Sequence, residues 1–329
     1  FRTIQVILHR HRTSVVNPIK VWEFSLNTQN LVGDFKWSTS LNILLESGKK
    51  CLTLAMMNTF IQMVPEVLLG AGFNETGIVK VGEPLGNFYG YVFDGIYQNE
   101  AEAKALGLTK DDVGSVKFKD LNGDGYITED DRTVIGNTNP KVQGGFGLSG
   151  QWKGFDFAMN FNFMLDFDVN NATAYQLSSS ESNKNKFYNV LSTFADKGWR
   201  YTRDGDGECL YKCYYIDGSL DMYRELNEGR TLWNPTDVTK KITHSYFIED
   251  GSFLRCQDLT VGYTLPGNLT SKWGISKARF YVSASNLFII TGYSGYDPEV
   301  DIQTGLTCGM DYNRYPRSRS FVLGTNITF

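Results

Sequence analysis

Between Phe155 and Phe167 every second residue is apolar: Phe155, Phe157, Met159, Phe161, Phe163, Leu165 and Phe167. The residues between them are Asp156, Ala158, Asn160, Asn162, Met164 and Asp166. Successive side chains of a strand point to opposite faces, so an extended chain here has one aromatic face and one acidic or amide face. Strands of soluble domains average about 5–6 residues. An aromatic face of this length would be an exposed patch larger than soluble monomers carry. A tilted strand crossing a bilayer needs about 9–11 residues, with one face on lipid and the other on a wet lumen. The pattern predicts such a strand.

The pattern repeats. Trp22, Phe24 and Leu26 alternate with Glu23, Ser25 and Asn27, and after a turn Phe35, Trp37, Thr39, Leu41 and Ile43 alternate with Lys36, Ser38, Ser40 and Asn42. Phe146 and Leu148 oppose Gly147, Ser149 and Gln151, and the turn Trp152-Lys153-Gly154 leads into the strand at Phe155. Leu259, Val261 and Tyr263 follow, then Phe280, Val282 and Ala284. The chain closes on Phe321, Leu323, Thr325, Ile327 and Phe329, with Val322, Gly324, Asn326 and Thr328 between them. Seven strands are expected in all. Connections near 28–34, 152–154 and 265–277 are short, whereas 44–142, 168–252 and 288–319 are long. Tight periplasmic turns alternating with long extracellular loops are the plan of an outer-membrane barrel. That assignment puts Trp37, Trp152 and Phe329 at the periplasmic rim, where an aromatic girdle belongs.

Composition excludes other classes. Among 329 residues the net charge is −4, and no dense Lys/Arg block occurs, which argues against nucleic acid as a partner. The most apolar stretch, 51–70, is broken by Asn58, Gln62, Pro65 and Glu66, so it is no transmembrane helix. Phe1-Arg-Thr-Ile-Gln5 does not open a signal peptide, and residue 1 is not expected to be the true start. Cys209 and Cys213 are close enough for a local disulfide, while His9, His11 and His244 are too few and too scattered for a zinc site. Phe187, Val190, Leu191 and Phe194 have helical spacing, with Gly198 as the stop.

One segment fits a cation-binding template. Asp120, Asn122 and Asp124 stand at its first, third and fifth positions, Gly125 supplies the sharp turn, and Tyr126 offers its carbonyl. Asp131 stands at the closing position, where the template has the longer Glu. The expectation is a structural Ca²⁺ held by Asp120, Asn122, Asp124, Tyr126 and Asp131. Trp199, Trp233, Tyr293, Tyr296 and Tyr312 fall in the long connections, where rings either stack on sugars or peptides when exposed or pack inside the loops. No nucleophile, acid–base pair or phosphate loop stands out, so no enzyme is expected. Gly145-Phe-Gly-Leu-Ser-Gly150 matches a dinucleotide fingerprint only formally, because a strand follows it and not a helix.

Several motifs resemble the SusC/RagA family of TonB-dependent transporters. These are Val81–Gln98, Phe118–Gly125 with Asp131–Gly136 and Pro140, Glu249–Arg255, Gly262–Pro266, Tyr281–Phe288 and Tyr293–Glu299. They run in order over most of residues 20–329, while 1–20 and 44–70 match poorly. The resemblance implies an all-β, antiparallel transmembrane barrel of about 22 strands with a plugged lumen, of which this chain is the C-terminal part. It further implies an outer-membrane location in a Gram-negative bacterium, and contact with TonB through an N-terminal region outside this chain. A SusD-like surface lipoprotein would deliver oligosaccharide or peptide for uptake. Two rival readings are a secreted calcium-stabilised β-sandwich (an adhesin or glycan-binding module) and a surface hydrolase. The sandwich requires a second layer covering the aromatic faces.

Overall fold

The structure, a computed structural model, describes residues 4–13, 19–47, 59–63, 75–108, 112–178, 190–200, 227, 229–235, 242–299, 309–313 and 315–329. Eight strands form one wall: β1 (Ile4–Thr13), β2 (Ile19–Val32), β3 (Phe35–Ser47), β4 (Val142–Trp152), β5 (Phe155–Leu165), β6 (Phe253–Thr264), β7 (Lys277–Thr291) and β8 (Ser320–Thr328). Each pairs antiparallel with its neighbours in sequence, from β1 to β8 without a crossover. This up-and-down order satisfies every interior strand's amides within the sheet, as hydrocarbon demands. The wall has one strand more than the sequence pattern revealed. β1 lacks clean alternation, and its place follows from pairing, with Leu8 opposite Phe24 and Val6 opposite Leu26.

Register fixes the two faces. Phe35, Trp152, Phe155, Tyr263, Phe280 and Thr325 stand side by side across six strands at the short-turn end. Further along, Leu41, Phe146, Phe161 and Cys256 share a row, and the Phe146 and Phe161 rings stack at 4.5 Å. The opposite face carries Asn42, Gly145 and Asn162 in one row and Ser40, Gly147 and Asn160 in the next. No second sheet covers the aromatic face among the described residues; Trp152, Phe155, Phe280 and Val282 are exposed, and Phe157, Phe161 and Phe163 remain half-exposed. The sandwich reading fails on this point, and the faces are those of a transmembrane barrel wall.

The turns close in residue types suited to them. Lys153 and Gly154 both adopt positive φ, 46° and 89°, as a two-residue hairpin between right-twisted strands requires. On the lumen face the Arg279 guanidinium crosses β6 to reach Asp156 on β5, at 3.0 Å from Nε. A Cβ at Gly262 would lie 2.5 Å from that guanidinium, so a larger residue there would have to displace it.

Two boundaries differ from expectation. β3 continues to Ser47, and β5 stops at Leu165, where Asp166 turns at φ 59°. Phe167, expected on the aromatic face, is instead buried beside Phe253 and Val169. The alternation continues past the strand end because the same composition serves a buried corner.

The long connections do not form separate regions. Described residues within 91–118, 172–199 and 232–247, together with Met310, contribute to a single apolar core. Four short strands, Thr59–Met63, Glu75–Lys80, Asn87–Tyr91 and Arg132–Asn137, pair within the first connection. Asp168–Asn171 pairs with Ile248–Asp250 and, in parallel, with Met310–Asp311, which ties the second and third connections together. The first and second are joined where the Tyr91 amide donates to the Thr243 carbonyl at 3.0 Å. The result is a cap at the end of the wall away from the short turns. Its helix Ser192–Lys197 ends at Gly198 as the spacing predicts, but starts later than expected, with Leu191 as its N-cap. Phe187, Cys209 and Cys213 lie outside the described residues.

The two faces predict opposite responses at adjacent positions of β5. Met159→Lys, in the row next to the stacked phenylalanines, is expected to destabilise the folded barrel by about 2–4 kcal/mol. Asn160→Lys, facing the lumen, is expected to cost well under half of that. Equilibrium unfolding in lipid vesicles, read by heat-modifiable gel mobility, measures both.

Candidate functional site

The lumen side of the wall and the underside of the cap meet at a cluster built from two motifs distant in sequence. The first is Glu249–Arg255, the second Tyr293–Glu299. Strict alternation along β6 would put Arg255 on the lipid face with Leu259, Val261 and Tyr263. The register slips between Cys256 and Asp258, leaving Gln257 as an extra residue, so Arg255 stands opposite Asn162 on the lumen side. A bulge re-aims every residue beyond it.

Arg255 is 4% exposed and binds two carboxylates of the third connection. Its terminal nitrogen donates to Asp297 at 2.6 Å and its Nε to Glu299 at 2.7 Å. Arg317 also reaches Glu299, at 3.3 Å. A few residues away, Glu249 accepts from the Ser294 amide and hydroxyl, both at 2.8 Å, and from Asn171 at 2.9 Å. The Tyr293 hydroxyl donates to Asp311 at 2.8 Å. Burial, with the Asp311 charge behind it, pushes that hydroxyl's pKa up. Buried ion pairs of this kind fix geometry more than they add stability, and removing one partner strands the other. The cluster therefore acts as a latch that folds residues 293–299 inward over the lumen.

The acidic loop is present as a closed, self-bonded turn. Asp120 accepts the amides of Gly123 at 2.6 Å and Gly125 at 2.9 Å. Asn122 Oδ1 accepts from the Asp124 amide at 2.9 Å, and its Nδ2 donates to Asp124 at 3.0 Å. Asp131 is fully buried and accepts from Thr128 and Leu121, each at 2.8 Å. The Thr128 amide is the main cause that holds the Asp131 carboxyl below the usual range, against the opposing effect of burial, and the Asp120 side chain lies beside it. Tyr126 projects outward, 61% exposed. Among the described residues no three His, Cys, Asp or Glu side chains converge as a metal cluster.

The five aromatic residues separate into two kinds. Trp199 and Trp233 are buried in the cap core, Trp233 packed edge-on against Phe194 at 4.8 Å, and the Trp199 ring lies where a Cβ at Gly114 would stand. Tyr293 is buried in the latch, and Tyr312 packs partly buried against the core. These four are packing residues, the second of the two readings their place in the loops left open. Only Tyr296 among the five is open, at 75% exposed. Ring type alone does not separate the two roles, because a loop core built without long helices needs large rings to exclude water.

Sequence reasoning overlooked His244. It sits 2% exposed among Phe93, Phe118, Trp233 and Phe247, with Nδ1 unpartnered. Burial lowers its pKa to about 3. Arg255 was visible as part of a motif, but its role depends on the bulge at Gln257, which the alternation does not announce.

No family model matches the chain. The TonB-dependent receptor P3 of Formosa agariphila is 30% identical over 319 residues, covering 94% of this chain and 28% of the relative. TonB-dependent receptor SusC of Bacteroides thetaiotaomicron is 27% identical over 314 residues, covering 93% of this chain and 26% of that protein. The chain thus spans under a third of the length of these curated relatives. Among solved structures, that of the RagAB peptide transporter superposes with a TM-score of 0.66 at 21% identity, over 95% of this chain and 30% of that one. The RagAB peptide importer in its 'open-open' state gives 0.63 at 19% identity, over 98% and 31%.

His244 predicts the cap's response to acid. The unfolded imidazole binds a proton near pH 6.5 and the folded one only near pH 3, so stability falls as pH drops below 6.5. At pH 5 the loss is about 2 kcal/mol. Asp131, with its lowered pKa, adds a loss in the same direction at more acid pH, whereas the raised pKa of Asp168 acts the opposite way. Thermal unfolding of the cap between pH 7 and pH 5, followed by tryptophan fluorescence, should show this slope, and His244→Phe should flatten it.

A meander wall with a lipid face and a lumen face, a cap made of its long connections and the similarity over nearly its whole length to TonB-dependent receptors, SusC among them, identify the chain as a segment of a β-barrel of the TonB-dependent receptor kind, with its loops.

Proposed function

We propose that the chain forms part of an outer-membrane importer of a Gram-negative bacterium, driven through TonB, which takes up oligosaccharides or peptides. The short turns face the periplasm and the cap faces outward. The observation that carries this reading is the pairing of an exposed aromatic row at the short-turn end with a polar lumen face behind it. Such a wall serves passage along its polar side, and the latch shapes the outer mouth of that passage. Cargo delivery by a SusD-like surface lipoprotein fits the cap, whose described residues form a folded platform. Contact with TonB belongs to a region outside this chain.

Calcium is a separate part of the proposal. Support comes from the template spacing of Asp120, Asn122 and Asp124, and from the neighbouring carboxyls of Asp120 and Asp131. An ion there would be held by Asp120, Asn122, Asp124 and the Tyr126 carbonyl, with Asp131 closing the loop. It would supply charge neutralisation and rigidity, and no chemistry.

Two outcomes are expected. Cells carrying the full-length receptor should lose uptake of its cargo when tonB is deleted or when the proton-motive force is collapsed. Uptake that persists undiminished would contradict the import reading. For the metal, millimolar calcium should raise the receptor's melting temperature by a few degrees in chelator-treated protein, and Asp120→Asn should abolish that rise. An unchanged melting temperature in the unsubstituted receptor would remove calcium from the account.

A further inference from the structure

The connection between β6 and β7 carries its amphipathic pattern inside out. Within residues 265–277 stand two consecutive helical turns, Gly267–Thr270 and Ser271–Trp273, ended by Gly274 at φ 71°. A helix on a protein surface normally buries its apolar stripe and turns its polar side to water. Here Leu269 and Trp273, four residues apart and so on one side, are 46% and 68% exposed, whereas Thr270 is 1% exposed. Ser271, two residues from each, lies on the opposite side. A loose turn does not account for the exposure. The Leu265 amide donates to the Ala278 carbonyl at 2.9 Å, the Ile275 amide to the Thr270 carbonyl at 3.1 Å, and the Ser276 amide to the Thr328 carbonyl at 2.8 Å. The connection is thus fastened to β7 and to the end of β8, and it holds two large apolar side chains outward.

Its place in the wall indicates what meets them. The strands it joins contribute Tyr263 and Phe280 to the row that faces lipid at the short-turn end. Ala278, two residues before Phe280 on that same face, is 3% exposed, with the first helical turn packed against its strand. The hollow on the lumen side at this level is lined by Asp34, Lys36, Asp156, Thr264, Lys277 and Arg279, among others, and by no residue of 266–276. The connection therefore leans toward lipid, at the depth where hydrocarbon gives way to headgroups. Its charge suits that layer, since Lys272 and Lys277 are the only charged residues of 265–277. The neighbouring hairpin repeats the chemistry, with the Lys153 ammonium 5.2 Å from the centre of the Trp152 ring. A tryptophan beside a lysine suits a membrane interface, where the ring sits at headgroup level and the ammonium reaches out to phosphate.

We propose that residues 266–274 are an interfacial foot. Leu269 and Trp273 insert into the headgroup layer of the periplasmic leaflet, and Lys272 pairs with lipid phosphate. With Trp152 and Lys153 the foot sets the depth of this stretch of wall in the bilayer. This rests on the reading that the short turns face the periplasm.

The test places nitroxide side chains singly at Leu269→Cys, Ser271→Cys and Trp273→Cys in the full-length receptor, in vesicles of phosphatidylethanolamine and phosphatidylglycerol. Labels at 261 and 263 of the wall serve as the reference. Relaxation by oxygen should outweigh that by a water-soluble nickel chelate at 269 and 273, as at 261 and 263, and nickel should dominate at 271. Lys272→Glu should shift the label at 273 toward nickel, and a label left unmoved would remove the phosphate contact. Nickel access at all three foot positions, with oxygen access kept at 261 and 263, would leave the wall in the membrane and overturn the foot. Shielding of 269 and 273 from both reagents would mean that protein covers them, and would overturn it equally. Nickel access at 261 and 263 as well would strike the transmembrane reading itself. Uptake independent of TonB would strike the import reading and leave these accessibilities unchanged.

Discussion

Hydrocarbon offers no hydrogen-bond partner to a peptide group, and the rest of this structure depends on that constraint. A wall strand must find both neighbours along its full membrane length. A meander meets the demand with the least chain, because each hairpin supplies the next partner at once. It also forces an economy of connection at one end: Gly33-Asp34 and Lys153-Gly154 join their strands with two residues each. Freed from that demand at the other end, the chain spends its length on a cap with its own apolar core.

The wall's second rule, lipid on one face and water on the other, is enforced residue by residue, and its phase slip at Gln257 has consequences. Moving Arg255 to the lumen side with one extra residue avoids a cation in lipid and places a cation where the third connection can reach it. On the same face, Asp156 and Arg279 pair across β6, over a glycine that leaves room for the crossing. Charged groups inside the barrel are thus matched close to where they arise, which keeps the lumen wet without leaving bare ions against its wall.

Much of this was legible in the residues because period-two alternation is a direct print of the two-solvent environment. Phe155–Leu165 and Phe321–Phe329 could be placed on sight, and the short turns followed from them. What escaped had physical reasons. The first strand carries apolar residues in succession, so its pairing with the second is set by neighbours and not by pattern. Phe167 continues the alternation after the strand has ended, since a buried corner and a lipid face both favour phenylalanine. For Trp199 and Trp233 ligand surface and loop packing were both open, and they fill a core assembled from three connections, which no local window of sequence contains. Likewise the union of Glu249–Arg255 with Tyr293–Glu299 is a tertiary fact: each motif was readable, and their meeting was not.

The central claim is that lipid bathes one side of this wall and water the other, with the phase shifted at Gln257. Nitroxide side chains placed singly at 254, 257–261 and 263 of the full-length receptor in bilayers measure it directly, through relaxation by oxygen and by a water-soluble nickel chelate. The account predicts oxygen access at 254, 259, 261 and 263, nickel access at 258 and 260, and a break in the alternation at 257. Alternation without that break, or shielding from both reagents along the whole strand, would contradict it.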